Sequence, residues 1–447
     1  MKLRVPFILE FALEKPVAVF GAGVSGRAVQ ALLEKVGAEG RLYDEVSGPE
    51  FGEAQCAEHS LVVFSPGFVT DHRWLVLARE RGLWCMGELD FSALFWRGLM
   101  EARSVRHELV AVTGTNGKTT LTEFLTHALR ENGECAHAAG NIGKPLAQLV
   151  VESAAGKDER PQIVICEVSS FQAESLQHFR ADSLLWTNFA EDHLDRHGSL
   201  EQYFGAKARL LAAVPADSVF IGACVARAAR QFEQAVPPYA TMRCESPFFS
   251  EQLKGTFCEG PPQQDNFRLA LSWWWRSDRS PELLYQAAQS FSVGPHRLSP
   301  VATVSGVSYW NDSKATNFHA VEQALAYFAR AQTPVYLILG GRAKGGDLAG
   351  FVGRIAARVR HAFLIGETAP LLAPLCAAQG LSYESCDSLE EAVWAASRAA
   401  PPASAILLSP GFASFDSFRN YQERGEAFEA AVRALAANPH QVPHFSI

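Results

Sequence analysis

Gly114-Thr115-Asn116-Gly117-Lys118-Thr119 is the stretch of this sequence with the plainest chemical meaning. It follows an apolar run, Leu109-Val110-Ala111-Val112. It precedes a helical pattern that places Leu121, Phe124, Leu125 and Ala128 on one face and stops at Gly133. A strand, a glycine turn and a helix N-terminus make an anion site. Glycine lets backbone N–H groups approach phosphate oxygens, and the helix dipole adds positive potential. Lys118 is then placed for the outer phosphates of a nucleotide and the Thr119 hydroxyl for Mg²⁺, with Thr120 in the same first turn. The spacing departs from GxxxxGK[ST]: Val112 stands where its first glycine belongs. This shortened loop takes weight from a motor or GTPase reading.

Acids follow at strand ends. Glu167 closes the buried run Ile163-Val164-Ile165, and an acid at a strand's C-terminal end beside a phosphate loop is placed to hold Mg²⁺. Asn188-Phe189-Ala190-Glu191-Asp192-His193-Leu194-Asp195 follows another apolar run, Leu184-Leu185-Trp186. A histidine among acids is by itself an ordinary structural feature; beside a phosphate loop it points to a metal site.

A third motif lies upstream. Gly21, Gly23 and Gly26 follow the strand-like Val17-Ala18-Val19-Phe20, and Asp44 closes a second strand. The GxGxxG pattern seats a phosphate-bearing nucleotide on a helix N-terminus, but it does not specify which nucleotide. A nicotinamide-dependent oxidoreductase is the alternative that this motif allows, and it leaves the second loop unexplained.

The elements that position these groups alternate strand and helix throughout, which predicts parallel sheets in an α/β protein. At 447 residues the chain is long enough for several domains. We expect three: residues 1–105, Rossmann-like; 106–299, a parallel-sheet ATPase-like domain; and 300–447, Rossmann-like again, with strands such as Val335–Leu339 and Ala405–Leu408 ending in glycine turns. A formal net charge of −8 argues against a general nucleic-acid binder. Nine scattered cysteines without a CxxC pair read as reduced thiols. The N-terminus does not make a secretory signal, and no apolar run reaches the ~18 residues of a membrane span. A cytoplasmic, monomeric protein without membrane or nucleic-acid partners is the expectation.

Taken together, these motifs resemble the Mur ligases, the ATP-dependent amide ligases that build the peptidoglycan stem peptide. The resemblance rests on residues 113–120, Gly140-Asn141-Ile142-Gly143, Glu167-Val168-Ser169-Ser170-Phe171-Gln172 and the segment 188–195. It continues in Pro295-His296-Arg297 and Asn311-Asp312-Ser313-Lys314-Ala315-Thr316-Asn317. Residues 340–347 and 409–416, with Arg424-Gly425, look most like the branch that adds D-glutamate.

The resemblance implies a mechanism. ATP phosphorylates the terminal carboxylate of UDP-N-acetylmuramoyl-L-alanine, and the D-glutamate amine attacks the acyl phosphate. Lys118, Glu167, His193, Lys207 and Lys314 are implied to be catalytic. Gly114 to Thr120, Asn266, Arg297 and Asp312 are implied to bind ATP. Two Mg²⁺ ions are implied, on Thr119 and Glu167 and on His193 and Lys207, the lysine carried as an N-carbamate. A lysine gains this group only as a neutral amine, which desolvation and nearby cations favour.

The first domain is implied to take UDP rather than NAD. Val24, Ser25 and Gly26 meet the diphosphate, Asp44 and Glu45 the uridine side, and Ser65, Pro66 and Gly67 line the cleft, with Asn141 near the reacting end. D-Glutamate is a dianion and needs a cation and several donors. Thr316 and Lys344 are implied for one carboxylate, and Ser414, Phe415 and Tyr421 for the other. A site drawing on three domains implies open and closed forms. A sister ligase for another amino acid, a folate-type synthetase and a nucleotide-gated binding module are the competing readings. Trp273-Trp274-Trp275 is expected to pack a helix.

Overall fold

Three groups of short apolar strands build three separate sheets. The computed structural model describes residues 3–156, 159–237 and 249–437. The first sheet joins β1 (Val17–Phe20), β2 (Gly40–Tyr43), β3 (Leu61–Phe64) and β4 (Trp84–Gly87) in the order β2-β1-β3-β4, all parallel. The second joins β5 (His107–Thr113), β6 (Cys135–Gly140), β7 (Gln162–Glu167), β8 (Ser183–Trp186) and β9 (Val219–Ile221). Its order is β6-β7-β5-β8-β9, again all parallel.

The third sheet holds β10 (Ser299–Val304), β11 (Val307–Asn311), β12 (Val335–Gly340), β13 (His361–Ile365), β14 (Tyr383–Ser385) and β15 (Ala405–Leu408). Its order is β10-β11-β15-β12-β13-β14. Only the β10–β11 hairpin is antiparallel, with residues 305 and 306 turning between its strands. Parallel strands buried on both faces explain why β1, β3, β7, β8 and β15 are buried at every position.

The chain divides into two compact units. One comprises Met1–Phe189, Glu201–Glu259 and Gln263–Phe291; the other comprises Ala190–Leu200, Gly260–Pro262 and Ser292–Ile447. The first unit contains two sheets because they share a core: Val19, Leu61 and Met86 belong to the same apolar cluster as Leu109, Val164 and Leu184. The helix Glu88–Arg103 links the two sheets and carries two buried acids. Asp90 accepts backbone N–H groups from Gln177 at 2.7 Å, His178 at 3.2 Å and Phe179 at 2.7 Å. Glu88 accepts the Ala147 N–H at 3.1 Å. Burial pushes both carboxyls above the usual range against these hydrogen bonds.

The tryptophan triplet lies in the helix Gln263–Arg276. Trp273 and Trp274 are buried, and the Arg279 guanidinium sits 5.1 and 5.5 Å from their ring centroids while bonding Glu134 at 2.9 Å with two nitrogens. Trp275 is 61% exposed. Successive helix residues turn by about 100°, so three in a row cannot share a buried face.

Candidate active site

The phosphate loop is built at the end of β5. Gly114 and Gly117 have φ of 145° and 79°, a backbone region that favours glycine. A Cβ on Gly114 would overlap Thr187 Oγ1, and one on Gly117 would press on the Asn266 amide. Asn188 clamps the loop from the end of β8. Its carbonyl accepts the Thr115 N–H at 3.1 Å, its Oδ1 the Asn116 N–H at 2.9 Å, and its Nδ2 donates to the Asn116 carbonyl at 2.9 Å. Thr187 Oγ1 donates to the same carbonyl at 2.7 Å. Thr187 and Asn188 hold the loop in this shape although neither resembles a nucleotide ligand in sequence.

Behind the loop, Gly117 provides no side-chain cap for the helix Lys118–Glu131, so this helix start presents its N–H groups to an anion. Lys118 Nζ reaches back to the carbonyls of Gly114 at 3.0 Å and Thr115 at 2.9 Å. Thr120 is buried in the first turn.

Glu167 ends β7 beside the loop and is 1% exposed. Thr119 Oγ1 donates to its Oε2 at 2.8 Å, and Asn141 Nδ2 donates to its Oε1 at 2.7 Å. Asn141 therefore holds the acid in place. Lys207, also 1% exposed, donates from Nζ to the Gly114 carbonyl at 2.9 Å and lies 4.9 Å from the Tyr203 ring centroid. Tyr203 in turn donates to Thr115 Oγ1 at 3.2 Å. Among the described residues no three His, Cys, Asp or Glu side chains converge. A nucleotide-bound Mg²⁺ needs no such cage, because one or two protein oxygens with the phosphates and water complete its shell. Thr119 and the buried Glu167 at a phosphate loop fit that donor set.

The first sheet carries a cleft at its carboxyl end, where the strand order β2-β1-β3-β4 changes direction between β1 and β3. Val24, Ser25, Glu45, Ser65, Pro66 and Gly67 line a cavity there of about 400 Å³. The buried Ser65 Oγ has no hydrogen-bond partner, which suits a ligand oxygen. Three residues expected to meet the UDP substrate also make contacts within the protein. Gly26 packs against the Gly21 carbonyl, where a Cβ would clash. Asp44 accepts from Ala22 N, Val46 N, Ser47 N and Ser47 Oγ at 2.8–3.1 Å. These bonds lower its carboxyl to about 2 and organise the loop backbone. Asn141 is on Glu167, as described above.

In the second unit, His193, Thr316 and Lys344 line one pocket with Asp192, Asn317 and Phe412. Asp192 gathers them: Lys344 Nζ lies 3.7 Å from Oδ1, Asn317 Nδ2 donates to Oδ2 at 2.9 Å, and the His193 N–H donates to Oδ1 at 2.9 Å. His193 has φ of 54°, in the left-handed region that few residues other than glycine adopt and that histidine tolerates better than most.

Ser414, Phe415 and Tyr421 lie outside the lining of this pocket. Buried Ser414 accepts the Phe418 N–H on its carbonyl at 2.8 Å, Phe415 is 64% exposed, and the Tyr421 ring lies 4.0 Å beneath Lys314 Nζ. Asp312, after β11, accepts from Ser409 Oγ at 2.8 Å and Leu298 N at 3.0 Å; burial outweighs both bonds and pushes its carboxyl up to about 7. Arg297 belongs to the chain segment that follows the helix Pro281–Ser290 in sequence and precedes β10. Arg424 has a structural task beyond its place in a motif. Buried at 1% exposure, it ties Ser313 and the Phe412 carbonyl together, and burial lowers its guanidinium to about 10.

Known proteins share these features in the same order. Residues 112–239 match the profile described as Mur ligase middle domain, and residues 296–412 match Mur ligase, glutamate ligase domain. A UDP-N-acetylmuramoylalanine–D-glutamate ligase of Gloeobacter violaceus is 35% identical, covering 94% of this chain and 99% of its own. One of Desulfatibacillum aliphaticivorans is 33% identical over 95% and 99%. The fold is shared with MurF ligase of Thermotoga maritima solved with ADP, at TM-score 0.57 and 15% identity over 84% of this chain and 96% of that one. It is shared too with UDP-N-acetylmuramate-alanine ligase MurC of the same organism, at 0.55 and 13% over 94% and 99%. With near full-length matches above 30% identity and a phosphate loop inside the matched middle domain, this chain belongs to the Mur ligase family and is a ligase.

Proposed function

We propose that this ligase adds D-glutamate to UDP-N-acetylmuramoyl-L-alanine at the expense of ATP, through an acyl phosphate, in peptidoglycan precursor synthesis. The observation that carries the reading is the buried Glu167 carboxylate, held by Thr119 and Asn141 at the mouth of a phosphate loop in a chain whose full-length relatives bear that name. Three domains, near residues 1–105, 106–299 and 300–447, divide the work in this reading.

The first domain takes the UDP moiety, with Val24 and Ser25 at the helix start for the diphosphate and Glu45 toward the base. The loop Gly114–Thr119 wraps the outer phosphates of ATP, Asn266 borders the adenine side, and Asp312 and Arg297 serve the ribose and phosphates. A carboxylate attacking a polyanion meets strong repulsion, so Lys118 and Lys314 provide positive charge against the negative charge on the oxygens of the transferred phosphoryl group. Thr119 and Glu167 would hold one Mg²⁺ and His193 and Lys207 a second, and these ions would neutralise phosphate charge further. Lys207 Nζ as a neutral amine adds to carbon dioxide and releases a proton, leaving a carbamate whose oxygens are metal ligands. Thr316 and Lys344 bind one carboxylate of D-glutamate. Ser414 and the backbone at Phe415 bind the other, beside Tyr421. The amine attacks the acyl phosphate, and the tetrahedral adduct expels phosphate to leave an amide.

A heavy-oxygen label in the alanyl carboxylate tests this chemistry. The label is expected in the released phosphate, with a product heavier by one glutamyl residue; unlabelled phosphate would contradict the acyl-phosphate route.

A further inference from the structure

β6 lies at the edge of the second sheet, beside β7. Cys135 and His137 stand two residues apart on it, so their side chains share one face. Gln162 on β7 is the register partner of Cys135. The three side chains converge. Cys135 Sγ lies 3.5 Å from His137 Nε2 and 3.3 Å from Gln162 Oε1, and His137 Nε2 lies 3.0 Å from the same oxygen. The Gln162 amide is turned this way by its own nitrogen, which donates to the Arg160 carbonyl at 2.8 Å. Gln162 is buried, whereas Cys135 and His137 are half-buried, which leaves a path from solvent.

A thiol, an imidazole nitrogen and a carbonyl oxygen in one triangle have the spacing of metal ligands. Around tetrahedral Zn²⁺, sulfur at ~2.3 Å and nitrogen or oxygen at ~2.0–2.1 Å stand about 3.3–3.6 Å from one another. The three observed separations lie in or just inside that range, so binding asks only a slight parting of the side chains. We propose that Cys135, His137 and Gln162 form a site for one thiophilic divalent cation of the Zn²⁺ class, bridging β6 and β7, with water as the fourth ligand. The Cys135 thiol gives its proton to solvent as the metal–sulfur bond forms, the His137 ring proton sits on Nδ1, and no electrons are transferred. Glu152, whose carboxyl is lowered first by its hydrogen bond from Lys144, is also within electrostatic reach of His137 and adds negative potential near the site. This site is separate from the Mg²⁺ position at the phosphate loop. Gln162 and Glu167 are opposite ends of β7, about 17 Å apart at ~3.3 Å per residue. Mg²⁺ takes hard oxygen ligands, and a thiolate selects softer ions.

Co²⁺ and Zn²⁺ titrations of the full chain, with Mg²⁺ in excess, test this. Co²⁺ is expected to give the near-ultraviolet charge-transfer absorption of a cobalt–thiolate bond at one equivalent, and Zn²⁺ to displace it. Cys135→Ser is expected to abolish that absorption, and Cys135→Ser and His137→Asn each to weaken Zn²⁺ by about tenfold or more. Cys224 is the other half-buried cysteine among the described residues, and Cys224→Ser is expected to keep both signals. In the wild type, Zn²⁺ is expected to protect Cys135 from alkylation by iodoacetamide, read by peptide mass spectrometry, which needs no variant to fold. Absence of the cobalt–thiolate band, a band that survives Cys135→Ser, or equal alkylation of Cys135 with and without Zn²⁺ would overturn the site.

Discussion

The Thr119 hydroxyl donates to Glu167 Oε2 across 2.8 Å, joining the first turn of the loop helix to the end of β7. β5 and β7 are neighbours in register, Val112 beside Glu167, so the sheet itself brings the acid to the loop. Replacing Glu167 by Gln keeps the shape and both neighbours but removes the charge. We expect kcat to fall about a hundredfold or more, with a higher Mg²⁺ requirement and an unchanged melting temperature. Steady-state rates across a Mg²⁺ titration check this; a near-normal rate would remove Glu167 from the phosphoryl-transfer machinery.

Lys207 is as buried as Glu167 and lies against the loop through the Gly114 carbonyl. Its proposed carbamate gives a specific signature. Lys207→Ala is expected to lose orders of magnitude in rate and to regain part of it when a small carboxylate such as acetate or formate is added. A variant that is inactive with and without the carboxylate, or one of near-normal activity, would argue against the carbamate.

Asp312 makes stability depend on pH. Its folded carboxyl is pushed up to about 7 from an ordinary 3.8, chiefly by burial. Between these values the native state binds more protons than the unfolded chain. The contribution is therefore complete below about 4 and is lost as pH rises through about 7. Its slope is at most ~1.4 kcal/mol per pH unit. Asp312→Asn is expected to flatten the fall in stability over that window, as measured by urea denaturation at several pH values.

Asp90 joins the first two sheets through backbone N–H groups of Gln177, His178 and Phe179. Asp90→Ala would leave buried donors without partners, at roughly 1–3 kcal/mol for each one left unsatisfied. We expect an unfolding midpoint lowered by an amount consistent with about 3 kcal/mol or more. A loss within a few tenths would show that water replaces the carboxylate.

How much of this was legible in the sequence depends on how local each signal is. The phosphate loop, Glu167 at its strand end and the glycine turn at 21–26 are contiguous patterns whose meaning comes from the chain immediately around them. The parallel sheets follow from alternating apolar runs for the same reason. Asn188 as a clamp on the loop was not legible, because its partners Thr115 and Asn116 lie more than seventy residues away in sequence. Asp44 matched a fingerprint position, yet its own turn supplies Ser47 and Val46 as donors, and these claim one of its oxygens. Trp275 shows the converse: a run of identical residues says nothing of facing until helical geometry separates them.

The central claim is tested most directly by ADP release in the presence of ATP, Mg²⁺ and UDP-N-acetylmuramoyl-L-alanine, with D-glutamate, L-glutamate, L-alanine or L-lysine supplied in turn. Release that depends on D-glutamate, and not on the other three, is the predicted result. Release driven by a different amino acid would contradict the assignment of Lys344 and Thr316 to D-glutamate, and release with none would contradict the proposed reaction itself.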